Sequence, residues 1–492
     1  MLNPGVAHTA TNTKECNVMT LVAGVDSSTQ SVKVVVRDLN TGALVREGRA
    51  PHPDGTAVDP NAWWDALLAA VEDAGGLDDV AAISVGGQQH GMVCLDEAGN
   101  VVRDALLWND TSSAPQVESL HAELGGPDAW VERTGLSLVA SFTVTKVRWL
   151  AENEPENAAR VAAVCLPHDW LTWRLRGFGP ENPDLGALTT DRSDASGTGY
   201  WSAARGEYDE ELFELALGHR VTLPVVLGPR AQAGVTGEGI PGVPAGIVVG
   251  VGAGDNAASA LALGLKVGDA AISLGTSGTV FARTTTAVAD TSGLAAGFAD
   301  CTGDHLPLVC TLNASRNIDA AARVLGVGLE DVADLALAAA PGAGGLTLLP
   351  YYEGERTPNL PDARASWHGA SLENFTRENV ARASVEGMLA SLMVGVEAIT
   401  RLGVPVERLF VIGGGARNRA VHEILPQMVD VPVLVPEPGE YVADGAARQA
   451  AAALTGEFPD WGVDARELPA QSQEPGIMAQ HRAAQEALGY PV

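Results

Sequence analysis

Twice along this chain an apolar strand runs into a small, hydroxyl-rich turn and a second apolar strand runs back out. In the first half, residues 21–25 lead into Asp26-Ser27-Ser28-Thr29-Gln30-Ser31 and return over 32–36. In the second half, residues 270–274 lead into Gly275-Thr276-Ser277-Gly278 and return over 279–282. Either one alone reads as an ordinary polar hairpin. Two of them, each opening a segment of domain size, point to a duplicated fold whose two turns face each other as phosphate loops.

Strand and helix signals alternate in both halves, which indicates two α/β domains. A third strand follows the turn Asn40-Thr41-Gly42. Asp59-Pro60 starts a helix with Trp63, Trp64, Leu67, Leu68 and Val71 at helical spacing. Residues 80–85 read as a buried strand, 115–175 as mostly helical, and 177–245 as an insertion of loops and short strands. A new rhythm begins near Ile247, with a strand over 247–251, a glycine turn over 252–256 and a small-residue helix over 257–264. Later come a helix over about 376–402, a strand over 408–412 and a glycine turn over 413–415; Ala and Gly over 441–455 predict close helix packing. The expected divisions are a disordered, dispensable leader over 1–19, domains over 20–246 and 247–456, and a tail over 457–492 ending in a helix.

Charge narrows the partners. The formal net charge is −30, and only four of the 31 basic residues are lysines. So acidic a surface repels nucleic acid and anionic membranes, and any bound anion needs a local site built from backbone N–H groups. Five cysteines without metal-ligand spacing predict reduced thiols in a cytoplasm. No apolar run approaches the ~18 residues of a membrane span, and residues 1–18 lack the apolar core of a secretory signal.

Several motifs carry chemistry. Gly, Ser and Thr turns let backbone N–H groups converge on a phosphate. Asp26 opens the first such turn; a carboxylate beside phosphates needs a cation between, so it reads as a Mg²⁺ holder or, alternatively, as an Asx residue closing the hairpin. Three glycines, Gly413-Gly414-Gly415, follow an apolar strand and precede a helix, which lets a nucleotide lie against the backbone. The dinucleotide fingerprint and the Walker lysine are both missing. Asp255, in Gly252-Ala253-Gly254-Asp255-Asn256, is held on a rigid stalk between strand and helix. It reads as a catalytic base near its usual pKa, as a helix N-cap, or as both. Gln88-Gln89-His90-Gly91 and Trp108-Asn109-Asp110 offer amide, imidazole and carboxylate groups suited to a polyol; read singly, His90 also fits a structural histidine and Trp108 core packing.

In this order and over nearly the whole chain, these segments resemble the FGGY carbohydrate kinases of the actin-like ATPase superfamily. Further matches are Lys146-Val-Arg-Trp149, Thr190-Asp191-Arg-Ser193-Asp-Ala195-Ser196 and Glu353-Gly354-Glu355-Arg356-Thr357-Pro358. The resemblance implies two actin-like (ribonuclease H-like) α/β domains flanking a catalytic cleft, a sugar-binding one first and a nucleotide-binding one second. It implies ATP and Mg²⁺, with Asp255 as base and Asp26 supporting the metal. Gln89, His90, Trp108, Asp110 and Asn256 fall to the sugar. Ser28, Thr29, Gly275, Thr276, Ser277, Gly414, Gly415 and Asn418 fall to the nucleotide. Within the family, Gln-Gln-His-Gly followed by Trp-Asn-Asp is similar to the members that phosphorylate D-xylulose. Glycerol kinases carry Arg-Glu where Gln89-His90 falls, so glycerol is disfavoured. Ribulose or a deoxyketose is the alternative acceptor, and a non-catalytic actin-like ATP switch the alternative class. The implied partners are a sugar and ATP, with neither nucleic acid nor membrane, and a homodimer is left open. The sequence departs from the family at Ser112, where Arg is common, and at Gly369-Ala370 and Asp444–Arg448.

Overall fold

The computed structural model describes residues 19–491, so the expected leader lies outside the described residues except for Met19. Strand Leu21–Ser27 is buried along its whole length. That is why it reads as an unbroken apolar run rather than an alternating one: it is covered on both faces. It pairs antiparallel with Ser31–Asp38 and parallel with Val80–Gly87. The order is Gln232–Val235, Val248–Gly250, Val80–Gly87, Leu21–Ser27, Ser31–Asp38, Leu44–Pro51, with a seventh strand, Ala253–Gly254, also pairing with Val80–Gly87. Helix Pro60–Asp73 buries Trp63, Leu67, Ala70 and Val71; Asp59 caps it by accepting from the Asn61 N–H.

The second sheet repeats the pairing. Gly268–Leu274 pairs antiparallel with Gly278–Ala282 and parallel with Val406–Ile412, and Gly278–Ala282 pairs antiparallel with His305–Thr311. Each hairpin therefore sits at the middle of its own sheet, with the same neighbours in the same directions, as a duplicated fold requires. Helix Arg377–Arg401 packs against this sheet. It is the one helix among the described residues long and apolar enough to cross a membrane, which the sequence reading did not anticipate, but 83% of its most apolar window is buried in the protein core.

Three features differ from the sequence reading. Strand Val248–Gly250 hydrogen-bonds into the first sheet, beside Val80–Gly87, although its rhythm resembles the second half. The next helix begins at Asp255 rather than at 257. The segment over 177–245 also holds the helices Arg192–Ala195 and Glu210–Leu217. The four cysteines among the described residues are all unpaired.

Helix Tyr441–Thr455 lies in the chain between two strands of the second sheet, Val433–Pro436 and Ala465–Glu467, yet it packs on Leu21–Ser27, on Val80–Gly87 and on helix Asp255–Ala262. Small residues make that approach physically accessible. A Cβ at Gly445 would fall 1.9 Å from the Ala258 carbonyl oxygen, and one at Gly24 would fall 1.9 Å from that of Ala443. Gly445→Val should therefore push the two helices apart and cost about 3 kcal/mol or more of stability. Thermal unfolding reads this directly, and a wild-type Tm would show that the helices tolerate separation.

Candidate active site

Asp255 enters the site through a short strand. Ala253–Gly254 pairs with Gly86 and Gly87, and Gly254 then caps helix Asp255–Ala262. The capping role expected for Asp255 thus belongs to Gly254, and the carboxylate stands at the first helical position. Its Oδ1 accepts from the backbone N–H and the side-chain Nδ2 of Asn256, each at 2.7 Å. The Asn256 Oδ1 in turn accepts from the Thr279 hydroxyl of the second sheet at 3.1 Å. Burial raises the Asp255 pKa to about 6; the Asn256 N–H opposes the rise, and the charge of Asp26 reinforces it. The carboxyl therefore departs from the usual range anticipated from sequence, while still ionising below neutral pH.

A cavity of about 210 Å³ opens onto this carboxylate. Gln89, His90, Trp108, Asn256, Gly275 and Ser277 line it, as do Phe298, Cys310 and Arg356. His90 adopts a left-handed backbone with φ 70°. Its Nδ1 lies 2.8 Å from the Gly197 carbonyl oxygen. Burial, together with the charges of Arg356 and Lys146, lowers its pKa well below the usual value. The ring is then neutral with Nδ1–H donating, which leaves Nε2 as an acceptor. Gln89 Nε2 donates to the Ser193 carbonyl at 3.2 Å. Trp108 is half-buried and donates its indole N–H to Thr29 Oγ1 at 2.9 Å, so it forms a wall and not core. Asp110 does not line the cavity. It accepts from Thr56 Oγ1 at 2.8 Å and from the Ser112 N–H at 3.0 Å, closing its own turn.

A second cavity, of about 470 Å³, adjoins the first, with Ser273 lining both. Asp26, Lys33, Gly413, Gly414, Arg417 and Tyr441 are among its walls. Gly414 is on the cavity wall and has open space where a Cβ would point. The other expected nucleotide residues divide. Gly415 and Asn418 do not line this cavity: a Cβ at Gly415 would meet Leu274 at 2.9 Å, and Asn418 caps helix Arg419–Ile424 through the Ala420 N–H. Ser28 and Thr29 do not line this cavity; Ser28 hydrogen-bonds Asp26 and Thr29 braces Trp108. Thr276 is exposed, and Gly275 and Ser277 lie on the smaller cavity.

Asp26 is 3% exposed. Its Oδ2 accepts from Ser28 Oγ at 3.1 Å and from Lys33 Nζ at 3.4 Å, while Oδ1 has no protein partner. The hairpin is closed by the Ser28 N–H to the Ser31 carbonyl, so Asp26 is not needed as an Asx turn. Burial raises its pKa, with Lys33 and Ser28 opposing. A buried, orphaned carboxylate oxygen on a cavity wall fits a divalent cation with hard oxygen ligands.

Two basic residues were not singled out from sequence. Lys33 is one of four lysines and stands among the valines Val32, Val34, Val35 and Val36 of its strand, which is a legible signal. Arg356 sat inside a quoted motif without a role; its Nη1 donates to Ser141 Oγ at 2.8 Å, tying the second half of the chain to the first across the smaller cavity.

Comparison with known proteins follows the same outline. The model of the FGGY family of carbohydrate kinases, N-terminal domain, matches residues 21–262, and that of the C-terminal domain matches 270–454. The xylulose kinase of Streptomyces coelicolor is 47% identical over 445 residues, covering 89% of each chain. That of Streptomyces rubiginosus is 46% identical, also over 89% of each. The crystal structure of the xylulose kinase from Bifidobacterium adolescentis superposes with a TM-score of 0.88 at 49% identity, covering 95% of this chain and all of that one.

Proposed function

We infer that this chain, which belongs to the FGGY family of carbohydrate kinases, phosphorylates D-xylulose with ATP to give D-xylulose 5-phosphate and ADP. One observation carries the reading: two cavities meet, with Asp255 in the smaller and Asp26 in the larger, near enough that one carboxylate raises the pKa of the other. The ketose fits the smaller cavity, where the neutral His90 accepts one sugar hydroxyl at Nε2 and the Gln89 amide meets another. Asp255 orients the terminal hydroxyl and accepts its proton as that oxygen bonds to the γ-phosphorus and the bond to ADP breaks. Phosphoryl transfer asks little more of a base than this late proton transfer.

The nucleotide fits the larger cavity, against the open backbone at Gly414. Asp26 would hold Mg²⁺, directly or through water, and the ion when bound would neutralise charge on the phosphates. Lys33 and Arg417 add local positive charge to a strongly acidic protein. The Arg356–Ser141 bridge supports closure of the cleft, which excludes water as a competing acceptor.

Gln89→Ala or His90→Ala should raise the D-xylulose KM by about tenfold, the value of one well-made hydrogen bond, with the ATP KM unchanged. Unchanged sugar kinetics in both would place the acceptor elsewhere. The acceptor itself is tested by ADP release with D-xylulose, D-ribulose, L-ribulose and a deoxyketose. D-Xylulose should give the highest kcat/KM. A higher value for another ketose would reassign the substrate, and ADP release indifferent to every sugar would end the kinase reading.

A further inference from the structure

Beneath the smaller cavity lies a buried polar cluster that no step above uses. His168, Asp169, Asp191 and Asp194 are all at most 2% exposed. His168 Nε2 lies 3.2 Å from Asp191 Oδ1, 3.2 Å from Asp194 Oδ2 and 3.4 Å from Asp169 Oδ1. The ring nitrogen lies where the three carboxylates converge. Although burial opposes a charge on the His168 ring, the surrounding carboxylates raise its pKa to about 10, while burial raises the pKa values of Asp169 and Asp194.

Asp191 passes that anchorage on. It caps helix Arg192–Ala195, accepting from the Ser193 N–H at 2.7 Å and the Asp194 N–H at 3.0 Å, and it accepts from the Ser193 hydroxyl at 2.5 Å. The Ser193 hydroxyl oxygen then accepts from the Gly254 N–H at 3.0 Å. Gly254 is one peptide before Asp255. The same short segment reaches the sugar side: the Ser193 carbonyl holds Gln89, and the Gly197 carbonyl holds His90. Ser196 Oγ accepts from the Ala299 N–H at 2.9 Å, in the strand that carries Phe298.

We propose that Asp191 and Ser193 are positioning residues that set the Asp255 carboxylate in register with the sugar-binding side chains. The proposal rests on Asp255 being the base. Ser193→Ala removes only the hydroxyl that fixes the Gly254 N–H; the carbonyl that holds Gln89 remains. A misplacement of the base by a fraction of an ångström to 1 Å costs about tenfold to a hundredfold in rate. Ser193→Ala should therefore lower kcat by that factor, with the KM values for D-xylulose and ATP within about twofold, while the buried Gly254 N–H left without its acceptor lowers Tm by a few degrees. Asp191→Asn, which weakens the anchorage of Ser193 to His168, should lower kcat in the same way.

A purely structural role predicts a different pattern, in which both KM values drift together with kcat. That pattern in Ser193→Ala, or a wild-type kcat in that variant, would overturn the proposal. Asp255→Asn, assayed alongside, separates the two readings. If that variant is inactive while Ser193→Ala turns over normally, only the positioning role fails. If Asp255→Asn is itself active, the base assignment fails first.

Discussion

Asp255→Asn is expected to lower kcat for D-xylulose phosphorylation by about 10²–10⁴-fold while leaving sugar binding near wild type. Asparagine has the same shape, and its amide oxygen can still accept from the Asn256 N–H that now meets the Asp255 Oδ1 at 2.7 Å. What it loses is the capacity to take a proton. The pH dependence gives a second check. The Asp255 pKa is raised to about 6, with burial the main cause. The base must be ionised to act, so kcat/KM for the sugar should fall as pH drops through about 6, and the residual activity of the variant should lack that limb. The stability effect has the opposite sign. A carboxyl whose folded pKa is raised disfavours the fold once it ionises, so this penalty is present at neutral pH and relieved as pH falls through about 6 toward the unfolded value. Asp255→Asn should therefore be at least as thermostable as wild type at neutral pH. Turnover near wild type would remove Asp255 from the chemistry; a matching loss of Tm would make its role structural.

Much of this arrangement was legible because it is written in local pattern. The two hairpins, Leu21–Ser27 with Ser31–Asp38 and Gly268–Leu274 with Gly278–Ala282, showed as apolar runs broken by small polar turns, and they do occupy equivalent places in two sheets. The placement of Gln89, His90 and Trp108 around one cavity followed from their motifs. What escaped was set by distance through space. Thr29 braces Trp108, 79 positions away, instead of lining the larger cavity. Gly415 lies against Leu274, 141 positions earlier in the chain. Strand Val248–Gly250 joins the first sheet because its partner Val80–Gly87 has a free side there, a fact no window around residue 248 contains. The Ser193–Gly254 hydrogen bond spans 61 positions and joins two motifs that read separately in sequence.

Asp26→Asn is the other substitution expected to act by orders of magnitude, and its argument begins from a charge that the fold does not satisfy. One oxygen of Asp26 is engaged by Ser28 and by Lys33, whose ammonium is shared with Glu440. The other is buried without a protein partner. Leaving a carboxylate oxygen dry and unpaired costs stability, and a protein gains nothing from it unless a cation arrives. If that cation is Mg²⁺ accompanying ATP, the neutral amide removes its anchor, and kcat should fall by about 10²–10³-fold, the rate equivalent of several kcal/mol of electrostatic stabilisation. D-Xylulose binding should survive, because Asp26 does not line the smaller cavity. The decisive readout is independent of turnover: calorimetric titration of Mg²⁺ into the enzyme–ADP complex should show weakened binding in the variant. Removing Asp26 also lifts its repulsion from Asp255, so the acidic limb of any remaining activity should move to lower pH. Unaltered Mg²⁺ affinity together with an unmoved limb would mean that Asp26 serves only to hold Lys33 in the strand, and the metal would have to be sought on another wall of the larger cavity.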